Sequence, residues 1–260
     1  MSTRLAGKVC LIAGTTGIAR ASAVLFGSEG ASIVAIGRSR EHAAELQAEL
    51  DRAGVPAATQ IDDLTSEGAA ARTLQCALER FGRVDVLFHV AGISGRSFGD
   101  GPLHECTDAG WDAVMTTNVR AMMQLNRACI VHWLAAQRSG TILNMASVLG
   151  FSFSIEYFGT VAYAAAKAAI IAMSQNAAAT YAKHGIRVNV IAPALVDTPM
   201  ARRATLDPAI LEFLKRKQPL TQKPLTDRDC AEAALYLCSD AAAAVTGIVL
   251  PVDGGWCVSG

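Results

Sequence analysis

The sequence predicts an α/β fold: a doubly wound, seven-stranded parallel sheet flanked by helices. Three observations carry that reading. Short apolar, β-branched runs alternate with longer alanine-rich stretches over all 260 residues. The runs are apolar throughout rather than alternating, which is the pattern of strands covered on both faces. No linker rich in Pro, Gly and Ser, no repeat and no low-complexity stretch interrupts the order, so 1–260 is expected to be a single domain.

The expected strands are Val9–Ala13, Ser32–Ile36, Ala57–Ile61, Val86–Val90, Thr141–Met145, Arg187–Ile191 and Ile248–Val252. Helical patterns near 17–29, 40–53, 66–81, 108–137, 160–184 and 226–239 fill the intervals. Thr226 and Asp229 have the spacing of a capping box at the start of the last long helix. The stretch 198–219 breaks the alternation with three prolines just after a strand end. Ligands of doubly wound sheets bind outside the carboxyl ends of the strands, so this stretch is expected to form a helical lid over a substrate.

Composition limits the function classes. Apolar residues make up 52% of the chain, enough for a large core, and charged residues only 18%. Basic and acidic residues balance at 23 each, which leaves no electrostatic footprint for nucleic acid or an anionic membrane. No apolar run reaches the roughly 18 residues of a membrane span, and the N-terminus lacks the layout of a signal peptide. The seven cysteines show no metal spacing and read as reduced thiols, so no metal and a cytoplasmic location are expected.

Two motifs point to chemistry. After the first strand comes Ala13-Gly14-Thr15-Thr16-Gly17-Ile18-Ala19-Arg20, a glycine turn opening a helix, where backbone can approach a pyrophosphate. Farther on, Tyr163 and Lys167 stand four residues apart in a helical context and so share one face. Ser147 follows the fifth strand, and Asn118 lies in the long helix before it. Taken with Val86–Gly92, Arg187–Pro193 and Val252–Gly255, these motifs resemble, in order and over the whole length, the short-chain dehydrogenase/reductase family of Rossmann-type oxidoreductases.

That resemblance implies an NAD(P)-dependent enzyme interconverting a secondary alcohol and a ketone by hydride transfer. Tyr163 would be the general acid or base, its pKa lowered by Lys167. Ser147 would hold the substrate oxygen, and Asn118 a relay water. Gly14, Thr16, Gly17 and Ile18 would line the pyrophosphate, and Asp63 would meet the adenine. Ala91 and Gly92 would pass the adenosine ribose, Lys167 would bind the nicotinamide ribose, and Thr198 would hold the carboxamide, with a helix N-cap as its alternative role. NADP is expected over NAD because Arg38 stands where an acidic residue would receive a ribose, with Arg20 in support. Family members are commonly tetramers built through the helices near 108–137 and 160–184 and the C-terminal segment, so a homotetramer is expected.

The chain departs from the family pattern at several points. The glycine turn is one residue short, and Ala19 replaces its last glycine, where a methyl is expected to crowd the turn. His89-Val90 replaces two asparagines, and His89 is expected to be a strand-end core residue. Between Ser147 and Tyr163 the aromatics Phe151, Phe153, Tyr157 and Phe158 would wall a substrate pocket. The stretch 198–219 has five basic residues against two acidic ones, a net +3. Arg202 and Arg203 there, with Arg96, suggest an anionic substrate. A sugar or polyol dehydrogenase and a non-catalytic dinucleotide sensor are the competing classes.

Overall fold

The computed structural model describes residues 3–259. All seven strands form one parallel sheet in the order β3-β2-β1-β4-β5-β6-β7. They are β1 (Val9–Ala13), β2 (Ser32–Gly37), β3 (Ala57–Ile61), β4 (Val86–His89), β5 (Gly140–Met145), β6 (Ile186–Pro193) and β7 (Val249–Val252). Every expected strand is present, and β6 runs three residues longer than its β-branched pattern. The order reverses between β1 and β4, which opens a crevice at their carboxyl ends.

Side chains of alternate strand positions fill two cores. One face carries Cys10, Ile12, Ile33 and Phe88 against α1 (Ile18–Ser28), α2 (Arg40–Arg52) and the last long helix, α10 (Asp227–Cys238). The other carries Leu11, Val34, Leu87 and Ile142 against α3 (Ala69–Phe81), α5 (Ala121–Ala135) and α7 (Val161–Tyr181). Each fully buried side chain of this kind contributes about 1.5–3 kcal/mol. Trp133 of α5 lies flat on the start of β5, where a Cβ at Gly140 would stand 2.3 Å from the indole. The capping box at Thr226 and Asp229 forms as the spacing predicts.

The helix expected over 108–137 is not continuous. It begins as α4 (Asp108–Val114), widens into a π-helical turn over Met115–Arg120 and resumes as α5. The wider turn carries Asn118 inward, where it is fully buried. Short α6 (Ile155–Phe158) precedes α7. The stretch after Thr198 is helical as expected, with a 3-10 turn, α8 (Arg202–Thr205) and α9 (Pro208–Lys217). No helix among the described residues is long and apolar enough to cross a membrane, and no group of side chains there could hold a metal ion.

Candidate active site

A cavity of roughly 440 Å³ opens at the carboxyl ends of β1, β4, β5 and β6. Gly14, Thr16, Gly17, Ile18, Ala91, Gly92, Ser147, Tyr163, Lys167 and Thr198 all line it. Residues spread over 185 positions of sequence thus meet at one sheet edge because parallel strands end on the same side.

The glycine turn fits a dinucleotide phosphate. Gly14 has φ +130°, and a Cβ there would lie 2.7 Å from the Ala19 Cβ. The methyl expected to crowd the turn is therefore accommodated by Gly14, and the shortened loop closes over it. Gly17 has φ +52° and gives way to α1, whose first turn holds no acidic residue and no side-chain cap. That leaves a helix N-terminus of favourable polarity facing the cavity. Thr198 lines the cavity and also stands at the N-cap position of the 3-10 turn, before Pro199, although its side chain makes no cap bond.

Tyr163 sits in the first turn of α7, and the start of that helix is held by a residue that sequence reasoning missed. The buried Asp100 carboxylate accepts from Ala162 N and Tyr163 N, each at 2.9 Å. This anchors the turn that carries the phenol, and no spacing rule connects positions 63 residues apart. Ser147 lies beside the phenol; its hydroxyl donates to the Pro193 carbonyl at 3.3 Å and accepts from Leu149 N at 3.2 Å. A Cβ at Gly150 would stand 2.9 Å from the α7 backbone at Lys167 and Ala168, so this loop can rest directly on the helix.

The buried Lys167 ammonium donates to the Met145 carbonyl at 2.8 Å and lies 5.4 Å from the Tyr163 ring centroid. Burial pulls the lysine down to about 8. Burial also pushes the Tyr163 phenol up to about 12, opposed by the Ser147 hydroxyl. Desolvation dominates the phenol in the protein alone, and the lowering expected from Lys167 is not among the influences on it.

Asn118 does not line the cavity. Its side chain accepts from Ile93 N at 2.8 Å and donates to Ile93 O at 2.9 Å. The amide is thereby committed to holding the loop after β4, with Gly92 leaving room for it. His89 is a buried strand-end residue in register with Ala13 and Asn144, as expected. Arg38 and Asp63, expected to meet the cofactor, do not line the cavity; they face each other at 3.9 Å, and the Asp63 carboxylate accepts from Thr65 N and Oγ1.

Several expectations need correction. Arg20 is bound to Glu49 at 2.7 Å and Glu45 at 3.3 Å, so α2 occupies the charge expected to assist Arg38. Phe151 and Phe153 are exposed and lie off the cavity, as does Arg202. Of the aromatics expected there, Phe158 lines the cavity, and Trp256 joins it, the two rings meeting edge-on at 5.8 Å. Phe213 of α9 packs on Trp256 at 5.6 Å and on Tyr157 at 5.3 Å. The local aromatic pattern showed that a wall existed but could not show which ring turned inward. Arg96 and Arg203 do line the cavity.

Residues 12–257 match the family described as enoyl-(acyl carrier protein) reductase. An A-factor type gamma-butyrolactone 1'-reductase of Streptomyces virginiae is 37% identical over 262 residues, covering 98% of this chain and 97% of that protein. A cis-4-hydroxycyclohexanecarboxylate dehydrogenase of Sinomonas cyclohexanicum is 34% identical, covering 98% and 99%. Among solved structures, a candidate NAD(P)-dependent gluconate 5-dehydrogenase of Beutenbergia cavernae with NADP bound aligns with a TM-score of 0.89. It is 32% identical, with both chains fully covered. The chain is a member of the short-chain dehydrogenase/reductase family and an NAD(P)-dependent oxidoreductase.

Proposed function

We propose that the protein interconverts a secondary alcohol and a ketone, with Tyr163 as the proton-transferring group. The observation that carries this reading is the convergence of Ser147, Tyr163 and Lys167 on one cavity beside the glycine turn. The nicotinamide cofactor supplies a hydride for reduction and, when oxidised, a positive charge that favours the Tyr163 phenolate. In reduction the carbonyl carbon gains that hydride and its oxygen gains the Tyr163 proton, which gives the alcohol. In oxidation both transfers reverse. Ser147 orients the oxygen, and the buried Lys167 favours the phenolate as charge develops. Asn118 acts by holding the loop at Ile93. Residues 198–219 serve as a lid over a single catalytic domain.

NADP is the proposed cofactor, because the residue that follows β2 is the exposed Arg38 rather than an acidic one, with the Asp63 carboxylate opposite it at 3.9 Å. A homotetramer is the proposed assembly; Trp111 of α4 and Val131 of α5 leave apolar surface open. A polyol substrate suits the cavity less well, since Val148, Leu149, Leu195 and Met200 make much of its wall apolar. A non-catalytic sensor would need no buried lysine beside a tyrosine.

The test is spectrophotometric turnover of secondary alcohols and ketones with each cofactor. Tyr163→Phe should lower kcat about a hundredfold to ten-thousandfold while cofactor affinity holds. Arg38→Asp should shift preference from NADP toward NAD. Near-normal kcat in Tyr163→Phe would overturn the assignment.

A further inference from the structure

The charged side chains lining the cavity are Arg96, Lys167 and Arg203, and no acidic residue lines it. Lys167 is spent at the buried end on Met145. Arg96 and Arg203 come from separate segments, the turn after β4 and α8, yet they share one acceptor. The Tyr157 carbonyl oxygen receives Arg96 Nη2 at 3.0 Å and Arg203 Nη2 at 3.4 Å.

Some arginines of this chain are matched to carboxylates, as Arg4 is to Glu29, Arg20 to Glu49, Arg72 to Asp62 and Arg228 to Glu232; others, such as Arg202 and Arg216, are not, but they do not line the cavity. Arg96 and Arg203 form no ion pair among the described residues. The nearest acidic group, Asp100, has both oxygens engaged by the start of α7. Partial desolvation at the rim and the facing Arg203 charge push the Arg96 guanidinium down, opposed by Asp100. Two guanidiniums, each with five donors, thus share a neutral oxygen and repel one another. A planar carboxylate would offer one oxygen to each fork and remove the repulsion.

The rest of the wall is mainly apolar, with Leu149, Phe158, Leu195, Met200 and Trp256 among its lining. We propose that the substrate is a hydroxy or oxo acid with an apolar body. Its carboxylate lies between Arg96 and Arg203, and its reacting oxygen meets Ser147 and Tyr163. The proposal rests on the alcohol–ketone reading above and adds the substrate class to it. It also sorts the basic residues of 198–219: Arg203 recognises the substrate, whereas Arg202 is surface charge.

The experiment compares matched acids and methyl esters, 4-oxopentanoate, 5-oxohexanoate and 4-oxocyclohexanecarboxylate, in the wild type, Arg96→Met, Arg203→Met and Arg202→Met. Both clamp side chains are exposed at the rim, so these variants should fold. For at least one pair the wild type should favour the acid about tenfold or more in kcat/KM. That ratio should fall about tenfold in Arg96→Met and in Arg203→Met, chiefly through KM, and hold in Arg202→Met. Arg203→Lys should restore part of it. Equal use of acid and ester by the wild type, or an equal fall in Arg202→Met, overturns the clamp.

Thermal shift with the same acids and esters on NADP-saturated protein separates the two proposals. Acid-selective stabilisation that depends on Arg96 and Arg203 but comes without turnover upholds the clamp and overturns the redox reading. No acid-selective stabilisation and no acid-selective turnover overturn the clamp.

Discussion

The floor and the roof of the cavity are built by opposite means. The floor is made of strand ends and the start of α7; Asn118 and Lys167 are at most 4% exposed, and each polar group has a named backbone partner. The roof is made of 151–160, 198–219 and the C-terminal turn. There Phe153 is 68% exposed and Leu206 the same, and side chains meet mainly through aromatic contacts. The difference teaches that reaction type and substrate choice belong to separate parts of the chain. The floor is over-determined by the sheet, whereas the roof can change its side chains without disturbing the strands.

If the floor is over-determined, small changes there should be costly. The largest effect is expected for Gly14→Ala, which combines a positive φ with the contact at Ala19. Urea unfolding should show a loss of about 2–3 kcal/mol, and cofactor binding should weaken. A loss under half a kcal/mol would mean that the turn relaxes freely. Next comes Asp100→Ala, which leaves Ala162 N and Tyr163 N without their acceptor. It should cost about 1–2 kcal/mol and lower kcat more than it raises KM, because the phenol loses its fixed position. An unchanged kcat would remove Asp100 from the account of the site.

A third test uses acid. Burial, with the Lys167 charge nearby, drops the His89 imidazole from 6.5 to about 3. Between those values the unfolded chain binds a proton that the folded chain does not, so stability must fall as pH falls through that window. The slope from this residue is at most about 1.4 kcal/mol per pH unit. Unfolding curves from pH 7 to pH 4 should be flatter in His89→Gln, and identical slopes would show that His89 finds a proton partner. The smallest effect belongs to the roof: Phe153→Ala should stay within about 0.5 kcal/mol and leave KM unchanged. A large rise in KM would mean that the loop turns this ring inward during turnover.

The same division explains what was legible in the sequence. The strands and the Tyr163–Lys167 pair could be read because their signals are local: apolar runs and a spacing of four on one helix face. Ser147 followed from its place at a strand end. The role of Asp100 could not be read, since it joins a loop to a helix 63 positions away. The π-helical turn left only a weak trace, the poorer helix formers Thr116, Thr117, Asn118 and Val119, which does not tell a widened turn from a regular one. Arg20 was misassigned because its partners, Glu45 and Glu49, lie on another helix. In the roof, counting aromatics located the wall and included Phe158, but it also took in Phe151 and Phe153 and had no means of finding Trp256.

Trp256 gives the chain a built-in optical gauge. Its indole is 1% exposed, bordered by Phe158 and Phe213, with the Lys217 ammonium 5.8 Å from its centroid. Trp133 is locked in the core by a bond to the Val84 carbonyl, and Trp111 lies half in solvent on α4, away from the cavity. Of the three emitters, Trp256 is therefore the one whose surroundings change when a ligand fills the cavity. Reduced nicotinamide absorbs where tryptophan emits, so loading of the site should also appear as energy transfer, to which all three rings can contribute. Motion of α9 through Phe213 would register as a second, slower change in the same signal.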